Sequence, residues 1–189
     1  MSESPVAPAV ARPRPRVYLA GPDVFYPDAL QRGQRMKALC AERGWEGLFP
    51  LDAQPDPALD PSRAIFQANR QLIQQADAVV ANLRDFRGFE PDSGTVWEVS
   101  YALALGKPVV GYLPSAASLL ERMSGQTHHG LDREGCAVED FGLPLNLMLA
   151  HSLHALVYGP EQGLLGLQSA LAALATWLPG GPSAAPGPA

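Results

Sequence analysis

Five short apolar and β-branched runs punctuate the chain: VYLA (17–20), GLF (47–49), AVVANL (78–83), PVVGYL (108–113) and HALVYG (154–159). Each reads as a short buried strand. Between them lie residues at helical spacing: Leu30, Met36, Leu39 and Cys40, then Ile65, Ala68, Leu72, Ile73 and Ala76, then Val96, Val99 and Leu103. Strands that alternate with helices imply parallel pairing, because a parallel connection must cross the sheet and a helix makes that crossing. The expected fold is α/β, a three-layer sandwich with a five-stranded parallel sheet of flavodoxin-like type. Ligands in such sheets bind beyond the carboxyl ends of the strands, which directs attention to the loops after Ala20, Phe49, Leu83 and Leu113. The stretch from Pro114 to Gly142 follows no clear period and reads as a lid or a partner contact.

A chain of 189 residues with 47% hydrophobic content can build one sizeable core. One domain is expected over residues 15–178. Residues 1–14 lack the long apolar run of a signal peptide, and no stretch is long and apolar enough for a membrane span, so a cytoplasmic location is expected. Both ends, 1–14 and the Pro- and Gly-rich 179–189, are expected to be disordered. The net charge of −5 is scattered, with no basic stripe to recognise a nucleic-acid polymer. Cys40 and Cys136 show no CxxC spacing and read as free thiols. The pairs His128–His129 and His151–His154 have no companion ligands, so no metal site is expected. No GxGxxG or GxxxxGK[ST] occurs, which removes the motif for dinucleotide or P-loop binding.

The most informative segment is DSGTVWEVSYALALGKP, residues 92–108, in which Glu98 is nearly the only charge. A helix from Thr95 to Leu105 would be apolar on most of its circumference and largely buried, and a buried carboxylate needs a partner or a purpose. Thr95 and Glu98 also spell a TxxE capping box, in which the glutamate merely reaches back to the helix start. Asp92 precedes Glu98 across a Ser-Gly turn, so it reads either as a helix-start acid or as the second carboxylate of a pair. Paired carboxylates suit glycosidic-bond chemistry, one attacking the anomeric carbon while another group handles protons. Asn69 falls on the stripe of Ile65, Leu72, Ile73 and Ala76, where the pattern asks for an apolar residue, so its amide bonds either the core or a ligand. Tyr18, in the middle of the first run, poses the same choice.

The segments YLAGPDVF, FPLDAQ, NRQLIQQADAVVANL, FRGFEPDSGTVWEVSYALALGKPV and PLNLML stand in the order found in the nucleoside 2-deoxyribosyltransferases, and over residues 16–160 the chain resembles that family. The resemblance implies an enzyme that exchanges the base of 2′-deoxynucleosides with free purine or pyrimidine bases. Glu98 matches the nucleophile that forms a deoxyribosyl-enzyme, and Tyr18 the tyrosine that orients it. Asp92 and Asn146 match the groups that hold the sugar 5′-hydroxyl, Asn146 arriving from a neighbouring subunit, so a homo-oligomer is implied. Gln54 matches a nucleobase contact, and Gly21 belongs to the turn after the first strand, on the substrate side. Some members carry an aspartate that handles the base proton where this chain has Asn69. No metal or organic cofactor is implied.

Two other functions compete. The deoxynucleoside 5′-monophosphate N-glycosidases share the nucleophilic glutamate but bind a phosphate, and tend to carry serine where this chain has Asp92. A carboxylate there repels a phosphate dianion. The second rival is a non-catalytic nucleoside-binding module, because a fold does not fix a function.

Overall fold

The computed structural model describes residues 13–161 and 164–178. The expected tails, apart from residues 13 and 14, lie outside the described residues. Strands β1 (Arg16–Ala20), β2 (Glu46–Leu48), β3 (Ala78–Asn82), β4 (Val109–Leu113) and β5 (Ala155–Tyr158) form one sheet in the order β2-β1-β3-β4-β5. All its neighbouring pairs are parallel. Each coincides with one of the five apolar runs. The order reverses beside β1, and the crevice at such a point is where an open α/β sheet takes its ligand.

Among the described residues six α-helices accompany the sheet: α1 (Ala29–Ala41), α2 (Pro61–Gln75), α3 (Ser93–Ala104), α4 (Leu119–Arg122), α5 (Leu147–Ser152) and α6 (Leu165–Leu174). Strand side chains alternate between faces, and the two faces build separate cores. Val17, Leu19, Val80, Val110 and Tyr112 pack with Met36 and Cys40 of α1 and with Leu167, Leu171 and Leu174 of α6. Tyr18, Ala20, Val79, Ala81 and Val109 pack with Ile73 of α2, Val99 and Ala102 of α3 and Leu149 of α5. The strands are thus covered on both sides, which is why their sequences are continuously apolar.

The helices approach the sheet on small residues, and this displaces two expected stripes. The buried side of α1 is Ala29, Gly33, Met36 and Cys40, so Leu30 faces solvent. A Cβ on Gly33 would come within 2.5 Å of the Phe49 ring, so the helix lies close only because the residue is glycine. In α2 the buried side is Ala64, Ala68 and Ile73, and Ile65 is exposed. The third helix also departs from expectation. It begins at Ser93 and is buried only at Thr95, Val99 and Ala102, while Trp97 is 41% exposed. Among the described residues no helix is long and apolar enough to cross a membrane.

The stretch without a clear period contains α4, which starts with a Ser118–Glu121 capping box, and a series of turns bridged at His128–Leu131 and Leu131–Ala137. Arg122 ties it down. Its guanidinium donates to the Asp85 carboxylate and to the carbonyls of Phe89 and Pro144. One side chain therefore joins the loop after β3 to the segment that leads into α5.

Candidate active site

Tyr18 is fully buried in β1, on the sheet face that α3 covers. Its hydroxyl donates to Glu98 Oε1 at 2.6 Å. The capping-box reading of Glu98 is therefore wrong: the carboxylate reaches across to β1 and leaves the helix start to another residue. That residue is Asp92, the N-cap of α3, whose Oδ2 accepts from Thr95 N at 2.9 Å and Thr95 Oγ1 at 3.0 Å. Aspartate suits this position because its oxygen satisfies an amide that the first turn leaves unpaired.

The electrostatics follow from that packing. Burial pushes the Glu98 carboxyl up to about 7, the Tyr18 hydrogen bond pulls the other way, and the negative charge of Asp92 adds to the rise. The Tyr18 phenol is driven far above its ordinary range by burial, then by the charge and hydrogen bond of Glu98. Near neutral pH this tyrosine is a fixed donor, and Glu98 stands close to the midpoint between acid and carboxylate.

Asn69 is half-buried on α2, and its Oδ1 is buried with no hydrogen-bond partner among the described residues. A dry acceptor of this kind is uncommon in a folded interior. Gly21 is buried at the end of β1 with φ 151°, and a Cβ there would come within 2.7 Å of Asn82 Cβ. Asn82 Nδ2 donates to Asp23 Oδ2 at 2.9 Å, and Arg32 Nη1 donates to Asp23 Oδ1 at 3.1 Å, so the turn after β1 is pinned beside this glycine. Gln54 is exposed beyond the short 3-10 helix Pro50–Asp52.

Asn146 stands apart from this group. It is the N-cap of α5, and its side chain bonds Met148 N and Glu139 rather than Tyr18, Asp92 or Glu98. Sequence reasoning missed Glu139 and Arg122, which sit in the stretch without periodicity. It also passed over Asn82, an amide inside a buried strand, for which the argument applied to Asn69 was available. His154 has a local role, its Nδ1 accepting from Val109 N at 3.2 Å. A cavity of 660 Å³ lined by Tyr26, Arg32, Arg35, Leu39 and Glu161 lies against α1, on the opposite sheet face, and holds none of the candidate residues. Among the described residues no group of three or more His, Cys, Asp or Glu is placed to hold a metal ion.

The five-stranded parallel sheet flanked by helices, with a tyrosine-bonded carboxylate on the helix that covers β1, places the chain among flavodoxin-like α/β proteins. Within that class the sequence model for nucleoside 2-deoxyribosyltransferases matches residues 17–148, and the chain belongs to that family. Members of that family are enzymes that act on nucleosides. The structure is similar to a 2-deoxyribosyltransferase from Leishmania mexicana, with a TM-score of 0.67 and 30% identity, covering 85% of this chain and 96% of that one. A conserved protein from Enterococcus faecalis shares the fold at a TM-score of 0.51 and 22% identity, over 83% of this chain and 99% of its own. An uncharacterized protein of Schizosaccharomyces pombe is 35% identical over 104 residues, 52% of this chain. The match spans about half the length of that relative, 49%.

Proposed function

We propose that the protein is a nucleoside 2-deoxyribosyltransferase that exchanges the base of 2′-deoxynucleosides through a covalent deoxyribosyl-Glu98 intermediate, in nucleoside salvage. The observation that carries this reading is the Tyr18–Glu98 hydrogen bond of 2.6 Å, made by a carboxyl whose pKa is lifted to about 7. Tyr18 holds one carboxylate oxygen and leaves the other for attack on C1′. The C1′–N bond breaks, and its electron pair leaves with the base. The departing base takes up a proton from solvent, a ring nitrogen of the incoming base gives one up as it attacks C1′ and expels the Glu98 carboxylate, and the two inversions restore the original configuration. A raised pKa makes the ionised carboxylate a better nucleophile at near-neutral pH.

Asp92, fixed by its bonds to Thr95, takes the sugar 5′-hydroxyl. Asn69 cannot serve as a Brønsted acid, but its orphaned Oδ1 suits an N–H of the base. Gln54 contacts the base from outside, and Gly21 keeps the turn after β1 flat against Asn82. Asn146 completes the site of a neighbouring subunit. Its bonding to Glu139, away from Glu98, supports that reading, as do the exposed apolar residues Ile65, Phe66, Trp97 and Met148 that a second copy would cover.

Incubation with deoxyinosine and free adenine tests the proposal. Deoxyadenosine as product supports it. Preference for a 5′-monophosphate with release of base to water favours the N-glycosidase, and binding without turnover favours a non-catalytic module. Asp92 speaks against the first of these, since its charge repels a phosphate dianion by a few kcal/mol at an effective dielectric of ~20.

A further inference from the structure

The amide of Asn146 is held at both ends. Its Oδ1 accepts the N–H of Met148 at 3.0 Å, and its Nδ2 donates to Glu139 Oε1 at 2.6 Å. The other Glu139 oxygen accepts the N–H of Leu147 at 2.9 Å, so one carboxylate braces both the side chain and the start of α5. Turning the amide over would set Nδ2 against a backbone N–H and Oδ1 against a carboxylate. Two bonds would become two repulsions. The orientation is therefore fixed, and Nδ2 keeps one N–H for another partner.

We infer that Glu139 is a specificity-determining positioning residue: it locks Asn146 as the donor to the sugar 5′-hydroxyl, opposite Asp92 as the acceptor. The inference rests on the deoxynucleoside reading above. A hydroxyl has one proton and can donate it to only one of two flanking groups. A carboxylate can only accept, so the proton goes to Asp92 and the group on the other side must donate. An amide free to turn presents either end, whereas the amide locked by Glu139 presents N–H. Such an acceptor and donor pair fits a hydroxyl and discriminates against a nucleoside without one, which leaves both groups unpaired. Glu139 and Asn146 lie on the same chain, so Glu139 accompanies Asn146 into whichever subunit's site it serves.

The experiment compares 2′-deoxyadenosine with 2′,5′-dideoxyadenosine as donors to free hypoxanthine, in wild type, Glu139→Ala and Glu139→Gln. In Glu139→Ala, kcat/KM for deoxyadenosine should fall by about tenfold or more while that for the dideoxynucleoside changes by less than about threefold, so the preference for the 5′-hydroxyl collapses. Glu139→Gln can still accept from Asn146 but turns an N–H toward one of its two donors, and should fall between. A merely structural role would lower both substrates alike, and an unchanged preference overturns the inference. If the alanine variant does not fold, the glutamine variant decides by the same ratio. A wild type that turns over deoxyadenosine without favouring the 5′-hydroxyl sinks the inference alone, and a wild type that exchanges neither nucleoside sinks the deoxynucleoside reading with it.

Discussion

Tyr18 and Glu98, 80 residues apart in the chain, meet through a 2.6 Å hydrogen bond between an interior strand of the sheet and the helix that covers it. The bond holds the carboxylate by one oxygen and lowers its pKa against the pull of burial. Tyr18→Phe should therefore shift the acidic limb of kcat/KM to higher pH. It should also reduce turnover by roughly ten- to hundredfold, the cost of a lost hydrogen bond to a charged group. A pH profile of the two proteins checks this, and an unmoved limb would separate Tyr18 from the ionisation of Glu98.

In the proposed mechanism Glu98 attacks as the carboxylate, so wild-type kcat/KM should rise with pH and level off above about 7. Asp92 contributes to the raised pKa by like charge. Asp92→Asn should move the limb to lower pH, since the amide keeps an oxygen for the Thr95 amide but carries no charge.

Glu98 costs stability when ionised. Its folded pKa of about 7 exceeds the ordinary 4.5, so the penalty is absent below about 4.5, grows as pH rises to about 7 and is complete above it. Glu98→Gln keeps an acceptor for Tyr18 without the charge. It should match wild type in thermal unfolding near pH 4 and exceed it at pH 8, by up to about 3 kcal/mol. The same variant should lose base exchange, because an amide does not attack C1′.

The strands were legible because a parallel sheet covered on both faces needs continuous apolar runs, and five such runs stand in the sequence. The stripes of α1 and α2 were less so. Those helices meet the sheet through Ala29, Gly33, Ala64 and Ala68, and small residues leave no hydrophobic signal. Residue by residue, the Tyr18–Glu98 contact posed two isolated questions, a phenol in a strand and an acid in an apolar helix, and only the family resemblance joined them. Packing of α3 on the face of β1 that carries Tyr18 brings the two side chains together. Arg122 and Glu139 could not be read, because their partners, the Asp85 carboxylate, backbone groups and an N-cap amide, are distant in sequence or brought near by turns without periodicity.

Asp92→Ser separates transfer from phosphate-dependent hydrolysis. Serine is a competent N-cap, so the start of α3 should survive. Deoxyadenosine turnover should fall by roughly ten- to hundredfold, and discrimination against its 5′-monophosphate should weaken as the like charge disappears. Following free adenine and exchanged product from both substrates gives the ratio, and a selectivity that stays fixed would remove Asp92 from the sugar.

Arg122→Ala should cost about 1 to 3 kcal/mol, since it leaves the Phe89 and Pro144 carbonyls and Asp85 without their shared donor. Urea unfolding reads that loss. A change below a few tenths of a kcal/mol would mean that the loop after β3 and the approach to α5 are held by other contacts.

A covalent bond from C1′ to Glu98 is read from the mass of the Glu98 peptide after wild-type protein is mixed with deoxyinosine and quenched in acid. That peptide should gain one deoxyribosyl group, lost when adenine is added before the quench, with deoxyadenosine formed in its place. An unmodified peptide throughout, with hypoxanthine and free deoxyribose accumulating whether or not adenine is present, would contradict it.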